Sequence, residues 1–216
     1  MYKNVIISIG RQYGAGGRRV GQALAKDLRI AYYDKELILE AAKEFGFAPE
    51  FFEENDEKSA AFSGNVLQWM ESLVTGGLGS KNFLSQDALF EMQSEVIRKI
   101  AEKHSCVIVG RCSDYVLRDN PNCFSVFLHS SEEDRIQRIQ ERSELSREEA
   151  LAKMKLQDKK RAAYYNFYSN KTWGVSSTYT LSIDVSSIGV ENTVNLIKFY
   201  MRQRELLDSK TSTDDE

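Results

Sequence analysis

Arginines and glycines crowd one short stretch of this chain, and phosphate chemistry is what that set can do. Gly14, Gly16 and Gly17 follow the apolar run Val5-Ile6-Ile7-Ser8-Ile9 and precede a helical pattern. Glycine tolerates positive φ and lets a ligand approach the backbone closely. A helix opening directly afterwards adds unpaired N–H groups and the positive end of its dipole, which together suit an anion. Arg11, Arg18 and Arg19 bring fixed positive charge to the same place. Two more polar residues stand at the ends of later apolar runs: Asp34 after Ile30-Ala31-Tyr32-Tyr33, and Arg111 after Cys106-Val107-Ile108-Val109-Gly110. Further on, Arg135, Arg138 and Arg142 recur at helical spacing. Phosphoryl transfer passes through a loose, strongly negative transition state that needs donors and positioning more than acid–base groups. The planar guanidinium fork grips phosphate oxygens in pairs.

Each of these residues also has a plainer role. The glycines could serve only close packing of strand against helix. Arg111 could be a structural ion-pair partner, and Asp34 a helix N-cap worth about 1 kcal/mol. The arginine stripe could be a solvated face pairing with Glu132 and Glu141. The strict P-loop pattern, G-x-x-x-x-G-K-[ST], fits in neither register: Gly17 or Arg18 falls on the lysine, and Arg11 or Gln12 on the first glycine.

The elements that would position these residues can be read from periodicity. Residues 5–9 suit a central parallel strand, covered on both faces. Val20, Leu24 and Leu28 predict a helix over 17–28, followed by a strand over 30–33 and a helix over 35–45. Further helices are predicted over 85–104, around 115–117, over 132–142, from the Ser146 cap to about 166, and over 190–207. Strands are predicted over 106–109, 123–128 and 179–185. Alternation of strand and helix with short connections predicts a parallel, doubly wound sheet that binds ligands at the carboxyl ends of its strands. Residues 47–81 differ, with Pro49, an acidic cluster and the aromatics Phe51, Phe52, Phe62 and Trp69. They would suit a lid, a substrate cover or a homodimer face, or equally a satellite core. The polar tail 208–216 is expected to be disordered.

Composition narrows the classes. A length of 216 residues, 42% hydrophobic and 28% charged, suits one soluble domain. A net charge of −3 argues against a nucleic-acid surface. No apolar run approaches a membrane span, and the N-terminus shows no signal peptide. Cys106, Cys112 and Cys123 lack metal spacing and leave one thiol over in any pairing, so reduced thiols and a cytoplasmic location are expected. Two His and no Cys cluster offer no zinc site.

In combination these residues resemble the cytidylate kinase-like family, relatives of bacterial cytidylate kinase among the P-loop nucleoside monophosphate kinases. The resemblance lies in Ile7-Ser8-Ile9-Gly10-Arg11-Gln12-Tyr13-Gly14-Ala15-Gly16-Gly17-Arg18, Tyr33-Asp34-Lys35-Glu36-Leu37, Val107-Ile108-Val109-Gly110-Arg111, Asp158-Lys159-Lys160-Arg161 with Tyr164-Tyr165, and Trp173-Gly174, and spans most of residues 4–200. It implies a single α/β domain over 1–207. That domain would have a three-layer α/β/α P-loop kinase-like fold, a five-stranded parallel sheet, a helical lid over 132–170 and an acceptor-side helical insertion over 47–81. It implies ATP-dependent phosphoryl transfer to a nucleotide or similar small molecule, with ATP and Mg²⁺ as cofactors and no protein metal site. On this reading Arg11, Gly14, Ala15, Gly16, Gly17, Arg18 and Arg19 hold the donor phosphates. Asp34, Arg111, Asp158 and Arg161 face the substrate, and Arg18, Arg111 and Arg161 neutralise charge during transfer.

The chain departs from the cytidylate kinase pattern at several positions. Gly17 replaces the P-loop lysine and the Ser/Thr after it is missing, which leaves Arg18 as the substitute charge. Glu40 stands where an acceptor-phosphate arginine is expected, and Cys112 where a Gly-Arg-Asp aspartate would be. Two other functions therefore stay open. One is a nucleotide-binding regulatory protein without catalysis. The other is a dinucleotide oxidoreductase, with Gly14-Ala15-Gly16 opening a G-x-G-x-x-G, Arg19 at its third glycine, and Asp34 as the ribose acid.

Overall fold

The computed structural model describes residues 4–46 and 86–206. Its elements are β1 (Ile6–Arg11), α1 (Gly17–Leu28), β2 (Ala31–Tyr33), α2 (Lys35–Glu44), α3 (Gln86–Lys103), β3 (Cys106–Val109), α4 (Ser113–Val116), β4 (Cys123–His129), α5 (Glu132–Ser143), α6 (Arg147–Ser169), β5 (Leu181–Asp184) and α7 (Val185–Gln203). The chain divides into two compact units, Met1–Lys35 with Arg98–Glu216, and Glu36–Ile97. In the second unit, α2 and the greater part of α3 bury Ile38, Ala41, Ala42, Val96 and Ile97. The expectations for 47–81 and for the tail 208–216 lie outside the described residues.

The first unit holds the sheet. Its five strands are all parallel, in the order β2-β3-β1-β4-β5. β1 is central because its residues suit burial on both faces, and Ile6, Ile7 and Ile9 are fully buried. Side chains alternate along it. Ile7 and Ile9 join Val20 and Leu24 of α1 and Val194 and Ile197 of α7 in one apolar cluster. Ser8 points to the other face, where its hydroxyl meets that of Ser113, at the start of α4, at 2.6 Å. The two buried hydroxyls satisfy each other, as a polar pair in a core must. Gly21 lets α1 lie close on the sheet, since a Cβ there would meet Val109 Cγ2 at 2.9 Å and Tyr32 Cε2 at 3.1 Å.

α5 and α6 form a helical hairpin with its own small core of Ile136, Ile139, Ala150 and Met154, against which Tyr13 packs. Both helices start on a serine. Ser131 Oγ accepts from Asp134 N, and Ser146 and Glu149 complete a reciprocal capping box.

Element edges differ from expectation where side chains take over backbone duties. β5 begins at Leu181 rather than at 179, because Thr180 and Ser125 bond through each other's hydroxyls instead of the ladder. α7 begins at Val185 rather than at 190, because the Asp184 carboxylate accepts from Ser186 N and starts a turn that kinks at Gly189 (φ 77°) before the long apolar segment. α6 continues to Ser169 and ends on Asn170 in the left-handed region. α4 is the turn Ser113–Val116, two residues earlier than expected.

Candidate functional site

The chain leaves β1 for one edge of the sheet (β2, then back to β3) and afterwards fills the other (β4, β5). The carboxyl end of β1 lies where that direction reverses, the place where parallel sheets bind ligands. The glycine loop is there. Gln12 N still donates to Leu128 O, extending the β1–β4 ladder by one bond, and then the chain turns. Gly14 and Gly16 both sit at φ 83°. At Gly14 space as well as conformation excludes a side chain, because a Cβ would meet Arg135 O at 2.8 Å. α1 begins on Gly16, which gives no side-chain cap, in contrast to the serine-capped α5 and α6. Among the described residues, the N–H groups of Gly14, Gly16 and Gly17 donate to no protein acceptor. Ala15 is fully buried beneath the loop.

Three guanidiniums converge beside this loop. Arg11 is the last residue of β1, and its side chain runs across Gly17 and Gly110. A Cβ on Gly17 would lie 2.7 Å from Arg11 Cγ, and one on Gly110 would overlap Arg11 Nη1. Arg161 of α6 donates from Nη1 to Arg11 O at 3.0 Å and lies over the Tyr13 ring, 5.3 Å from its centroid. Arg111 lies over the Tyr164 ring at 5.5 Å. Among the described residues none of the three is in an ion pair. Burial, then Arg161 and Arg111, lower the pKa of Arg11 to about 9, against a smaller opposing pull from Tyr32 and Asp34, and it stays charged at neutral pH. Burial likewise lowers that of Arg161. The loop after β3 is unusual too: Gly110, Arg111 and Cys112 all have positive φ, at 86°, 61° and 53°. For a residue with a Cβ this region costs about 1–2 kcal/mol, and such strain gathers at functional sites.

The helical hairpin grips the loop from the other side. Asp158 Oδ1 accepts from Tyr13 N at 2.7 Å, and Arg135 Nε donates to Tyr13 O at 2.7 Å. Arg135 Nη2 and Asp158 Oδ2 pair with each other, closing a ring around one peptide unit of the loop. Arg138 Nη1 donates to Ser130 Oγ at 3.1 Å and, more weakly, to Gly14 O at 3.3 Å. Arg135 is only 6% exposed. Arg135 and Arg138 are thus not on a solvated face, whereas Arg142 is exposed. Arg142 turns back to Arg138 O, and Glu141 accepts from Gln137. Asp158 is an expected site residue, whereas its partner Arg135 is expected only as part of the arginine stripe. The signal for it is that Arg135 stands four residues before the buried Ile139, on the side of α5 that packs inward.

Arg18 points elsewhere. Its Nη2 donates to Asp34 Oδ2 at 2.9 Å at the end of β2, and Tyr32 Oη reaches the same oxygen at a long 3.4 Å. Burial and Asp34 raise the Tyr32 phenol to about 12. Asp34 is buried whereas Arg18 and Arg19 are exposed. Glu40 is exposed in the second unit. The aromatics after Arg161 mostly pack within the first unit. Tyr165 lies against Tyr179 and donates to Asp114 Oδ2 at 2.6 Å, and Trp173 meets Phe127 edge-on. Burial raises the Asp114 carboxyl and pushes the three cysteine thiols up to about 12, so they are not thiolates at neutral pH.

A glycine loop on the central strand of a five-stranded parallel sheet in this order, opening an uncapped helix, defines an α/β protein of the P-loop kinase class. The family assignment is more specific: the chain belongs to the cytidylate kinase-like family, whose model matches residues 6–187. A solved structure of an uncharacterized protein from Eubacterium ventriosum is 32% identical to it, covering 93% of this chain and 100% of that one, with a TM-score of 0.71. Shikimate kinase from Bacteroides thetaiotaomicron is 16% identical over 92% of this chain and 98% of its own, with a TM-score of 0.52. Shikimate kinase from Acinetobacter baumannii, solved with shikimate, is 15% identical over 95% and 97%, with a TM-score of 0.51. These two distant likenesses show the fold. Comparison with curated proteins finds no match. Among the described residues no helix is long and apolar enough to cross a membrane.

Proposed function

We propose that this protein transfers the γ-phosphoryl group of ATP to a nucleotide or a similar small acceptor. The observation that supports this most directly is the convergence of Arg11, Arg111 and Arg161 on the glycine loop, with no carboxylate among the described residues paired to any of them. A polyanion is the ligand that such a cluster lacks. The N–H groups of Gly14, Gly16 and Gly17 would hold donor phosphate oxygens. Arg111 and Arg161 would neutralise charge on the group in flight, and Arg18 with Asp34 would meet the acceptor. In the reaction the bond from the γ-phosphorus to the β–γ bridging oxygen breaks and ADP leaves. A bond from that phosphorus to an acceptor oxygen forms, and the acceptor's proton, where it has one, passes to solvent. The residues present do not fit a P-loop metal ligand, since positions 17–19 read Gly-Arg-Arg and supply no hydroxyl. Mg²⁺ would arrive on the phosphates of ATP.

The missing lysine and hydroxyl favour a second reading, a regulatory protein that binds nucleotide without turnover. One experiment separates the two. The full-length chain is incubated with γ-labelled ATP and Mg²⁺ and a panel of nucleoside monophosphates, nucleosides and polyols. Label appearing on an acceptor supports the kinase. A rise in melting temperature with ATP, with no transfer to any acceptor, supports the regulatory reading. A rise with NAD and none with ATP would overturn both.

A further inference from the structure

Resting on the nucleotide-binding reading above, we infer that Arg11, and not Arg18, is the donor-phosphate cation of this loop, replacing from the strand the lysine that P-loops carry at the helix start. Three observations lead there. Arg18, the nearest cation in sequence, extends to Asp34 at the end of β2, with its side chain 59% exposed. The position a P-loop lysine would occupy is Gly17, and it has no room for a side chain: a Cβ there would lie 2.9 Å from Arg11 Cβ and 2.7 Å from Arg11 Cγ. The Cβ is fixed by the backbone, so a rotamer change at Arg11 relieves the contact with Cγ but not the one with Cβ. Finally, the Arg11 guanidinium lies over Gly110, flanked by Arg161 and Arg111, and among the described residues no carboxylate forms an ion pair with it.

A long side chain at 11 and any side chain at 17 therefore exclude each other. Position 11 is also where the strict pattern has its first glycine, five residues before Gly16. The two departures from the motif are one exchange: the strand gains a cation and the helix start loses one. Gly110 belongs to the same exchange, since its missing Cβ is the space that Arg11 Nη1 fills.

The test is a set of four chains, wild type, R11A, G17K and R11G/G17K, each titrated calorimetrically with ATP·Mg²⁺ and with adenosine. A lost charge-assisted phosphate contact weakens ATP binding about 10- to 100-fold in R11A. Adenosine, which has no phosphate, binds R11A as it binds wild type, and this serves as the control for folding. G17K alone also loses ATP affinity, because its new side chain meets the Arg11 stem. R11G/G17K, which restores the strict glycine–lysine pattern, regains ATP affinity above that of either R11A or G17K. If R11A binds ATP as tightly as wild type, or if the double substitution recovers nothing, the inference is wrong while the kinase reading stands. If wild type binds no nucleoside triphosphate, the kinase reading fails and takes the inference with it.

Discussion

Asp158→Ala should unfold this protein far more easily than the loss of a surface carboxylate would. Asp158 neutralises Arg135, whose side chain is 7% exposed, and it accepts the Tyr13 N–H at 2.7 Å. Removing it leaves a buried guanidinium uncompensated and a loop amide without its acceptor. Breaking one side of a buried pair costs about 3–5 kcal/mol, which for a chain of this size is roughly 10 °C in Tm. Arg135→Met should cost somewhat less, because the Asp158 side chain, at 18% exposure, retains some water. The informative variant is R135M/D158L. It removes both charges together and forfeits mainly the two bonds to Tyr13, about 2 kcal/mol in all. Urea denaturation followed by far-UV circular dichroism gives the three free energies. The double should be more stable than the sum of the singles by at least about 2 kcal/mol, the coupling expected of residues in one network. Additive costs, or a loss below about 1 kcal/mol in D158A, would show that the clamp around Tyr13 is not the buried pair described here.

Three further expectations follow from single contacts. Gly21→Ala gains about 1 kcal/mol of helix propensity but meets Val109 and Tyr32 at 2.9 and 3.1 Å, so overpacking should win and equilibrium unfolding should show a net loss of about 1 kcal/mol or more. Arg18→Ala removes a partner that is 59% exposed, so stability should fall by less than about 1 kcal/mol by urea denaturation, while the KM for the acceptor rises. Burial raises the folded-state pKa of Asp114 above its unfolded value, so its charge is a cost that grows as pH rises through the unfolded value towards the folded one. Asp114→Asn should therefore melt no lower than wild type at pH 7, and its relative advantage should shrink as the pH is lowered towards 4 in parallel calorimetric scans.

The scaffold was legible because its signals are local. The helix over 17–28 and the strand over 106–109 emerge with the expected bounds, since apolar period and flanking turn residues alone determine them. The arrangement of side chains around the loop was less so. Arg11 and Arg18 look alike in sequence, seven residues apart around the same glycines. What distinguishes them is where the end of β2 puts Asp34, and where Gly17 and Gly110 leave room. Asp158, expected to face the nucleotide, holds Arg135 and also Tyr13, the latter a contact across more than a hundred residues of chain. The start of α7 was hidden by Gly189, although Asp184 two residues before Ser186 is a capping signal that could have been read.

The strand that carries the glycine loop pairs with β3 on one side and β4 on the other, Ile6 lying opposite both Cys106 and Cys123. Neither partner has been synthesised when the loop leaves the ribosome. At about 5–20 residues per second the chain needs on the order of 6–26 s to reach the end of β4 at His129. Until then β1, with Ile6, Ile7 and Ile9 all destined for full burial, has two open edges and no ladder. The glycine loop is therefore the first part of the candidate site to be translated and among the last to take shape. Its assembly depends on contacts distant in sequence, which close slowly, and the interval is one in which a nascent chain would benefit from a chaperone.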